Sequence, residues 1–219
     1  TGIKLAQSSL YFDPILNGNK VAHMQFNISS YQENRTLSPS GASALSMVQG
    51  YISHKSESEK LHMRLGFLIP PVSEEHFGST WSTKYTLTPS SINSWVSEEV
   101  RATALELNYK IFGWKSTFAL FSGNDTQGAV LSWRGWALTD YQSTARSLRS
   151  LEAVPQTSAT WTNPFQEIDG NLGYYAKLEY ESEMGIKVSF FHSDNNGDTS
   201  AEIPPNKACL LYTSPSPRD

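Results

Sequence analysis

The sequence predicts an all-β fold of antiparallel strands, and three observations support this fold class. Apolar and polar residues alternate with a period of two through several segments, as in strands that have two chemically different faces. Tight turns alternate with long polar connections along the chain, and helical patterns are few. The 219 residues are enough for one large domain, and the alternating segments predict about eight or nine strands.

The predicted strands follow one another along the chain. The clearest alternation lies at residues 21–29, 61–69, 104–112, 176–180 and 186–190, and weaker candidates lie at 3–12, 44–54, 116–122 and 128–135. Pro70 and Pro71 end the strand at 61–69, because proline has no amide hydrogen to donate to a neighbouring strand. Tight turns are predicted at "FGWKS" around Trp114 and at "ESEMG" around Met184.

One short helix is predicted within the long connection that follows Pro71. The stretch "TPSSINSWVSEE" places Thr88 at the expected N-cap and Pro89 at the expected first helical position. Ile92 and Val96 are four residues apart, so they share one side of a helix. We expect one or two turns of helix there.

Composition and charge exclude several classes of protein. Hydrophobic residues make up 38% of the chain and aromatic residues 12%, which is typical of an ordered protein. The net charge of −4 offers no basic surface for nucleic acid. No run reaches the roughly 18 apolar residues that a transmembrane helix needs. A membrane protein of this sequence would therefore cross with β-strands.

The last stretch, "CLLYTSPSPRD" at residues 209–219, matches the translation of a sequencing adapter along its whole length. We expect this tail to be non-biological, together with Cys209, the single cysteine of the chain. We expect residues 1–208 to be a fragment of a longer protein, in which no signal peptide can be read.

No motif predicts catalysis, a cofactor or a metal site. Glu74 and Glu75 are neighbours, as are Glu98 and Glu99, and adjacent residues of an extended chain point to opposite sides. Neither pair is therefore a ready-made acid–base couple of the kind that glycosidases use. The five histidines show no short metal-ligand spacing. We expect no enzyme activity.

The polar positions of the strands carry charges of both signs. These residues are His62, Arg64, Glu106, Lys110, Lys177, Glu179 and Lys187. In a soluble sandwich they would face solvent, while the apolar positions would pack against a second sheet. In a transmembrane barrel they would line a water-filled lumen, while the apolar positions would face lipid. Alternation alone leaves both architectures open.

Two features favour the barrel. Several strands approach the roughly 9–11 residues that span a bilayer when they are tilted. Aromatic residues near strand ends could form girdles at the two membrane interfaces. These aromatic residues are Tyr51, Trp114, Trp133, Trp136, Tyr174 and Tyr175.

Two longer stretches carry a family resemblance. "RLGFLIPPVSEE" at 64–75 and "YTLTPSSINSWVSEEVRATALEL" at 85–107 resemble the phosphate-selective porin O/P-like superfamily, and more closely a poorly characterised porin-like branch of bacterial outer-membrane proteins. "WRGWAL" and "HSDNNGD" are similar to the same branch, and the resemblance covers most of residues 11–200. It implies a partial antiparallel transmembrane β-barrel in the bacterial outer membrane. The implied partners are outer-membrane lipid and small hydrophilic solutes or ions, and a homotrimer of the full-length protein stays open.

The resemblance also gives a meaning to the segment after the double proline. In porins of this kind one long loop folds into the barrel and narrows the channel, and residues 72–97 match that loop. The charged residues implied at the narrowest passage are Glu74, Glu75, His76, Lys84, Glu98 and Glu99. Because acids outnumber bases here, phosphate selectivity is not carried over, and we expect weak cation preference or a general pore.

A second hypothesis comes from another class of protein. A secreted soluble β-sandwich could bind carbohydrate by stacking sugar rings on exposed tryptophans. The candidates are Trp81, Trp95, Trp133 and Trp136. An envelope enzyme is the third hypothesis.

Overall fold

The computed structural model describes residues 8–28, 45–73, 75, 88–139, 142–145, 149–150, 161–163 and 165–196. The strands are β1 Ser8–Phe12, β2 Ile15–Asn17, β3 Lys20–Ile28, β4 Leu45–Lys55, β5 Leu61–Leu68, β6 Ala102–Ile111, β7 Trp114–Ser122, β8 Arg149–Ser150, β9 Trp161–Thr162, β10 Gly173–Glu181 and β11 Lys187–Asp194. The helices are α1 Ser91–Glu99 and α2 Ala129–Arg134. Neither of these described helices is long and apolar enough to cross a membrane.

Nine of the strands form one antiparallel sheet. Its order is β1, β3, β4, β5, β6, β7, β10 and β11, with β2 also paired to β3, while β8 and β9 form a separate pair. Within the described residues β1 and β11 are not paired with each other, so the sheet is open there. The all-β class is confirmed, the main sheet has nine strands as predicted, and closure into a barrel stays a prediction.

The connections differ in length at the two ends of the sheet. At one end, residues 56–60, 112–113 and 182–186 join β4 to β5, β6 to β7 and β10 to β11. At the other end, residues 29–44, 69–101 and 123–172 join β3 to β4, β5 to β6 and β7 to β10. We call these the short-turn end and the loop end. The two predicted tight turns are confirmed, and both helices belong to the loop end.

The weak strand predicted at residues 128–135 is wrong, because this stretch contains α2. Gly128 precedes the helix with a φ of 96°, and Gly135 follows it with a φ of 70°. Both values lie in the left-handed region, which glycine adopts without strain and which interrupts a strand. A hydrogen bond of 2.7 Å from Gly135 N to Leu131 O closes the helix.

The helix predicted after Pro71 is confirmed as α1, but it begins later than predicted. Ser90 is the N-cap, and its Oγ accepts a hydrogen bond of 3.1 Å from Asn93 N. That amide has no partner inside the helix, so the serine satisfies a donor that would otherwise be orphaned. Thr88 and Pro89 therefore precede the helix.

Gly66 lets β4 and β5 approach closely. It has a φ of 142° inside β5. A Cβ atom at this position would meet the backbone oxygen of Gly50 and would lie 2.8 Å from the Cα of Tyr51. Glycine fits because it has no side chain and adopts a positive φ without strain.

The two faces of the sheet have opposite chemistry and opposite exposure. On the apolar face large side chains stay exposed, with Leu65 at 58%, Leu105 at 42% and Leu120 at 46%. On the charged face Glu106 is 0% exposed and Lys177 is 4% exposed. A sheet in a water-soluble domain normally buries its apolar face. The usual polarity is therefore inverted in this sheet.

The core lies at the loop end of the charged face. One cluster contains Leu68, Ala102, Ala104, Ala119, Phe121 and Tyr175, and the other contains Val48, Ile69, Val96 and Val100. The second cluster packs α1 against the sheet. Val48 joins this cluster from a β-bulge in β4. Gln49 pairs with Gln25 and Met47 pairs with Phe26, so Val48 is an extra residue between them.

Candidate functional site: the charged face and the cap at the loop end

The seven charged residues predicted to share a face do share one. The register pairs Arg64 with Glu106 and His62 with Asn108, two positions along the same face. It also pairs Lys110 with Lys115, and Lys110 lies on the same face of β6 as Glu106 and Asn108. The remaining three, Lys177, Glu179 and Lys187, occupy the corresponding positions of β10 and β11. That this face lines a lumen stays a prediction.

An ion pair lies at the centre of the charged face. Arg64 donates from Nε to Glu106 Oε1 at 2.8 Å, and its Nη2 lies 2.6 Å from the same oxygen. Asn108 Nδ2 also donates to Oε1, at 2.5 Å, and the Tyr175 hydroxyl donates to Oε2 at 2.7 Å. Thr117 Oγ1 donates to Asn108 Oδ1 at 2.7 Å. The buried carboxylate is therefore paired and fully hydrogen-bonded, as burial of a charge requires.

This network continues across the sheet towards β1. The Arg64 guanidinium lies 5.2 Å from the ring centroid of Tyr51, which stacks on His23 at 4.8 Å. Gln49 Nε2 lies 3.1 Å from His23 Nε2 and donates to Gln25 Oε1 at 3.0 Å. We call the whole set the polar belt. Its members are Tyr11, His23, Gln25, Gln49, Tyr51, Arg64, Glu106, Asn108, Thr117 and Tyr175.

Lysines gather on the charged face towards the short-turn end. Lys177 Nζ and Lys187 Nζ lie 3.3 Å and 3.2 Å from Glu179 Oε2. Lys115 pairs in register with Glu179 on one side and with Lys110 on the other. Four lysines (Lys110, Lys115, Lys177 and Lys187) therefore share this part of the face, which we call the lysine-rich region, with Glu179 and Glu181. This part of the face carries a net positive charge.

Glu98 and Glu99 lie inside a group formed by α1, α2 and β9 at the loop end, which we call the cap. Their exposed fractions are 2% and 0%. Glu99 accepts hydrogen bonds from Trp95 Nε1 at 2.7 Å, Val130 N at 3.1 Å and Thr162 Oγ1 at 3.0 Å. It thereby joins α1 to α2 and β9. Burial raises the pKa of Glu99 to about 7, although these donors pull it down.

A buried arginine completes the cap at the end of α1. Arg101 is 0% exposed, and its Nη1 donates to Val96 O at 2.7 Å and to Val100 O at 2.8 Å. Its Nη2 donates to Ser97 O at 3.0 Å. These carbonyls include ones that α1 leaves without a helical partner, and a cation there is favoured by the helix dipole. The sequence analysis did not single out Arg101.

The other residues predicted at the constriction have separate outcomes. Glu75 accepts a hydrogen bond of 2.7 Å from Ser90 N through its Oε2, so it lies beside the start of α1. Glu74, His76 and Lys84 lie outside the described residues, as do Trp81 and the side chain of Trp133. A constriction role for this segment stays a prediction.

The aromatic residues predicted at strand ends divide between the two faces. Trp114 and Tyr174 are 44% and 36% exposed on the apolar face. Tyr51 and Tyr175 instead lie on the charged face, in the polar belt. The prediction of an outward aromatic girdle is wrong for these two. Trp136 lies outside the strands, with its ring centroid 5.9 Å from that of Trp95.

Three carboxylates meet at the loop end beside the cap. One oxygen from each of Asp125, Glu167 and Asp169 lies within 4.8 Å of the others. Burial, together with the neighbouring charges of Glu167 and Asp169, raises the pKa of Asp125 to about 6, although the hydrogen bond from Ile168 N lowers it. The sequence analysis missed this group, whose one local signal is the acidic turn "EIDGN".

The candidate site therefore consists of a polar belt, a lysine-rich region and a cap, all on one face of the sheet. Its residues come from strands that are far apart in the chain and adjacent in the sheet. The likeness to porin-like proteins rests on the residues alone. Comparison of this chain with models of protein families, with curated proteins and with solved structures finds no match.

Proposed function

We propose that this chain is part of a porin-like channel in a bacterial outer membrane, which passes small hydrophilic solutes or ions by passive diffusion. The observation that carries the proposal is the inverted polarity of the sheet. Leucine and phenylalanine side chains stay exposed on one face, whereas Glu106 and Lys177 are buried on the other. Lipid against the first face would cover its apolar side chains, and a hydrated passage along the second would accommodate its charged ones.

The extent of the apolar face supports lipid as its neighbour. Leu65 is paired with Leu105, and Leu105 with Leu120, so exposed leucines continue from strand to strand. Contiguous apolar surface on a soluble monomer rarely exceeds a few hundred Å². A β-sandwich would cover such rows with a second sheet. Among the described residues the only other sheet is the short pair β8 and β9.

The dimensions of the strands support the same proposal. β6 has 10 residues, and β7 and β10 have 9 each. Tilted strands of about 9–11 residues cross the hydrocarbon core of a bilayer. On the apolar face at the short-turn end, Trp114 packs against Tyr180 with 4.8 Å between ring centroids. Aromatic pairs of this kind suit the level of the lipid headgroups.

The position of the cap favours a passage that is narrow at the loop end and wider at the short-turn end. Val96 of α1 shares a buried cluster with Val48 of β4, so α1 packs against the sheet at the loop end. At the opposite end Lys110 and Lys187 are exposed. In outer-membrane barrels the long loops face outward, so solutes entering from outside would pass the cap and the polar belt before the lysine-rich region.

The charge of this region favours anions over cations. The sequence-based expectation of weak cation preference depended on loop acids, and two of those, Glu98 and Glu99, are buried in the cap. Among the exposed charged residues there, Lys110 and Lys187 outnumber Glu181. Because the sign of charged side chains in a pore sets its ion preference, an anion preference follows.

Lipid contact can be tested with two adjacent positions that face opposite ways. Phe190 is 71% exposed on the apolar face, and Ser189 is exposed on the charged face. Phe190→Cys and Ser189→Cys, each with Cys209→Ser, are labelled with a polarity-sensitive dye and reconstituted in phosphatidylcholine vesicles. Nitroxide-labelled lipid should quench the dye at residue 190 and leave the dye at residue 189 bright. Equal quenching at both, or none at either, would contradict the proposal.

Ion preference can be tested in planar bilayers under a salt gradient. The complete channel that contains this chain should give a reversal potential of the sign for anions. Lys187→Glu, at an exposed position of the charged face, should move the potential towards that for cations. Lys20→Glu, at an exposed position in the opposite row of β3, is the matched control and should not move it. An equal shift in both variants would reject the assignment of the passage to the charged face.

A further inference from the structure

The three carboxylates at the loop end connect two separate loops. Asp125 follows β7, whereas Glu167 and Asp169 precede β10, and one oxygen of each lies within 4.8 Å of the others. Like charges this close repel one another, and the repulsion grows when a charge is buried. A bound cation would remove that repulsion.

Asp125 contains a buried oxygen that lacks a hydrogen bond. The residue is 7% exposed, and its Oδ2 accepts a hydrogen bond of 2.5 Å from Ile168 N. Its Oδ1 is buried and has no hydrogen-bond partner in the described part of the chain. Buried acceptors without a partner are rare in folded proteins and need an explanation such as an ion.

The other two carboxylates are held in place by backbone amides and one hydroxyl. Glu167 Oε2 accepts from Ser122 Oγ at 2.7 Å and from Gly123 N at 2.8 Å, while its Oε1 accepts from Gly170 N at 2.7 Å. Asp169 Oδ1 accepts from Asn171 N at 2.8 Å. Side chains fixed by such hydrogen bonds are preorganised, as a binding site requires.

We propose that Asp125, Glu167 and Asp169 bind one Ca²⁺ ion, which ties the loop after β7 to the loop before β10. The cluster contains oxygen ligands and neither histidine nor cysteine, which suits a hard cation better than zinc or copper. Ca²⁺ accepts irregular coordination and carbonyl or water ligands, whereas Mg²⁺ demands a near-ideal octahedron. The site goes beyond the proposed channel and does not depend on it.

Calorimetric titration of CaCl₂ into the full chain, purified in a non-ionic detergent and stripped with chelator, tests the proposal. One site with a Kd between about 10⁻⁵ and 10⁻³ M is expected. Asp125→Asn keeps an oxygen for Ile168 N and removes the charge, so it should weaken binding by at least about tenfold. Asp169→Asn should do the same, and it serves if the first variant does not fold.

Asp194→Asn is the matched control. Asp194 Oδ1 accepts from Asn196 N, as Asp169 Oδ1 accepts from Asn171 N, but Asp194 is not part of the cluster. Its affinity for Ca²⁺ should equal that of the unaltered chain. No binding at 10 mM CaCl₂ (about tenfold above the weakest expected Kd), an equal loss in Asp194→Asn, or equal affinity for MgCl₂ would overturn the proposal. None of these outcomes bears on the lipid-quenching result.

Discussion

The polar belt and the cap each bury a glutamate, but they treat its charge differently. Glu106 in the belt is paired with the guanidinium of Arg64 and receives two further side-chain donors. Glu99 in the cap receives its hydrogen bonds from an indole, a backbone amide and a hydroxyl, all of them neutral. Both carboxylates are 0% exposed. The polar belt therefore pairs the negative charge of Glu106 with a positive one. In the cap, burial disfavours the charged form of Glu99.

The difference suggests separate roles for the two regions. A paired charge in the belt keeps strands in register and does not need to change its protonation state. A glutamate with a pKa of about 7 in the cap can take up or release a proton near neutral pH. Helix α1, which overlaps the segment 72–97 that we propose narrows the passage, is thus held by a contact whose charge can change.

The largest expected effect is the loss of the belt ion pair. Glu106→Gln leaves the Arg64 charge without its partner, so the free energy of unfolding should fall by about 3–5 kcal/mol. Urea unfolding followed by tryptophan fluorescence measures it. The double variant Arg64→Met with Glu106→Gln should lose less than the single one, because it leaves no unpaired charge. A double variant that is worse than the single one would mean that the pair is not the source of the stability.

The stability of the cap should depend on pH because of Glu99. Burial raises the pKa of Glu99 from 4.5 to about 7, so its contribution to stability is fully present below pH 4.5 and is lost as pH rises through 7. The loss amounts to roughly 3 kcal/mol, because each pKa unit is worth about 1.4 kcal/mol. Amide exchange of residues 91–99 between pH 5 and 8, corrected for intrinsic rates, should show it. Glu99→Gln should flatten the profile, and an unchanged profile would remove Glu99 as its cause.

The smallest effects come from two matched threonines. Thr117 donates to neutral Asn108 in the belt, and Thr162 donates to Glu99 in the cap. Thr117→Val should cost about 1 kcal/mol of unfolding free energy, whereas Thr162→Val should cost about 2 kcal/mol at pH 8, where Glu99 is charged. At pH 5 the two costs should converge. Costs that stay apart at pH 5 would show that the charge of Glu99 does not make the difference.

The sequence predicted what depends on neighbouring residues. Alternation identified the strands and sorted His62, Arg64 and Glu106 onto one face, because successive side chains of a strand point to opposite sides. The same rule could have corrected one mistake. Tyr174 and Tyr175 are adjacent within a strand, so they cannot both belong to an outward girdle.

What the sequence did not predict depends on register between distant strands. Tyr175 reaches Glu106 only because β7 lies between β6 and β10 with a fixed register. Asp125 meets Glu167 through the path of two loops, which no local pattern encodes. The cap shows the same limit. In the sequence Glu98 and Glu99 resemble solvent-facing acids, but the packing of α1 against α2 and β9 buries them. Burial of a charge is decided by tertiary contacts and is therefore hidden from composition.

The close approach at Gly66 has a consequence for recognising related chains. Any side chain there would collide with the backbone of Gly50 and would separate β4 from β5 two residues away from Arg64. Homologues that keep the arginine–glutamate pair should therefore keep glycine at this position, whatever else has diverged. Glycine at this one position of the strand would then be a marker by which distant relatives are found.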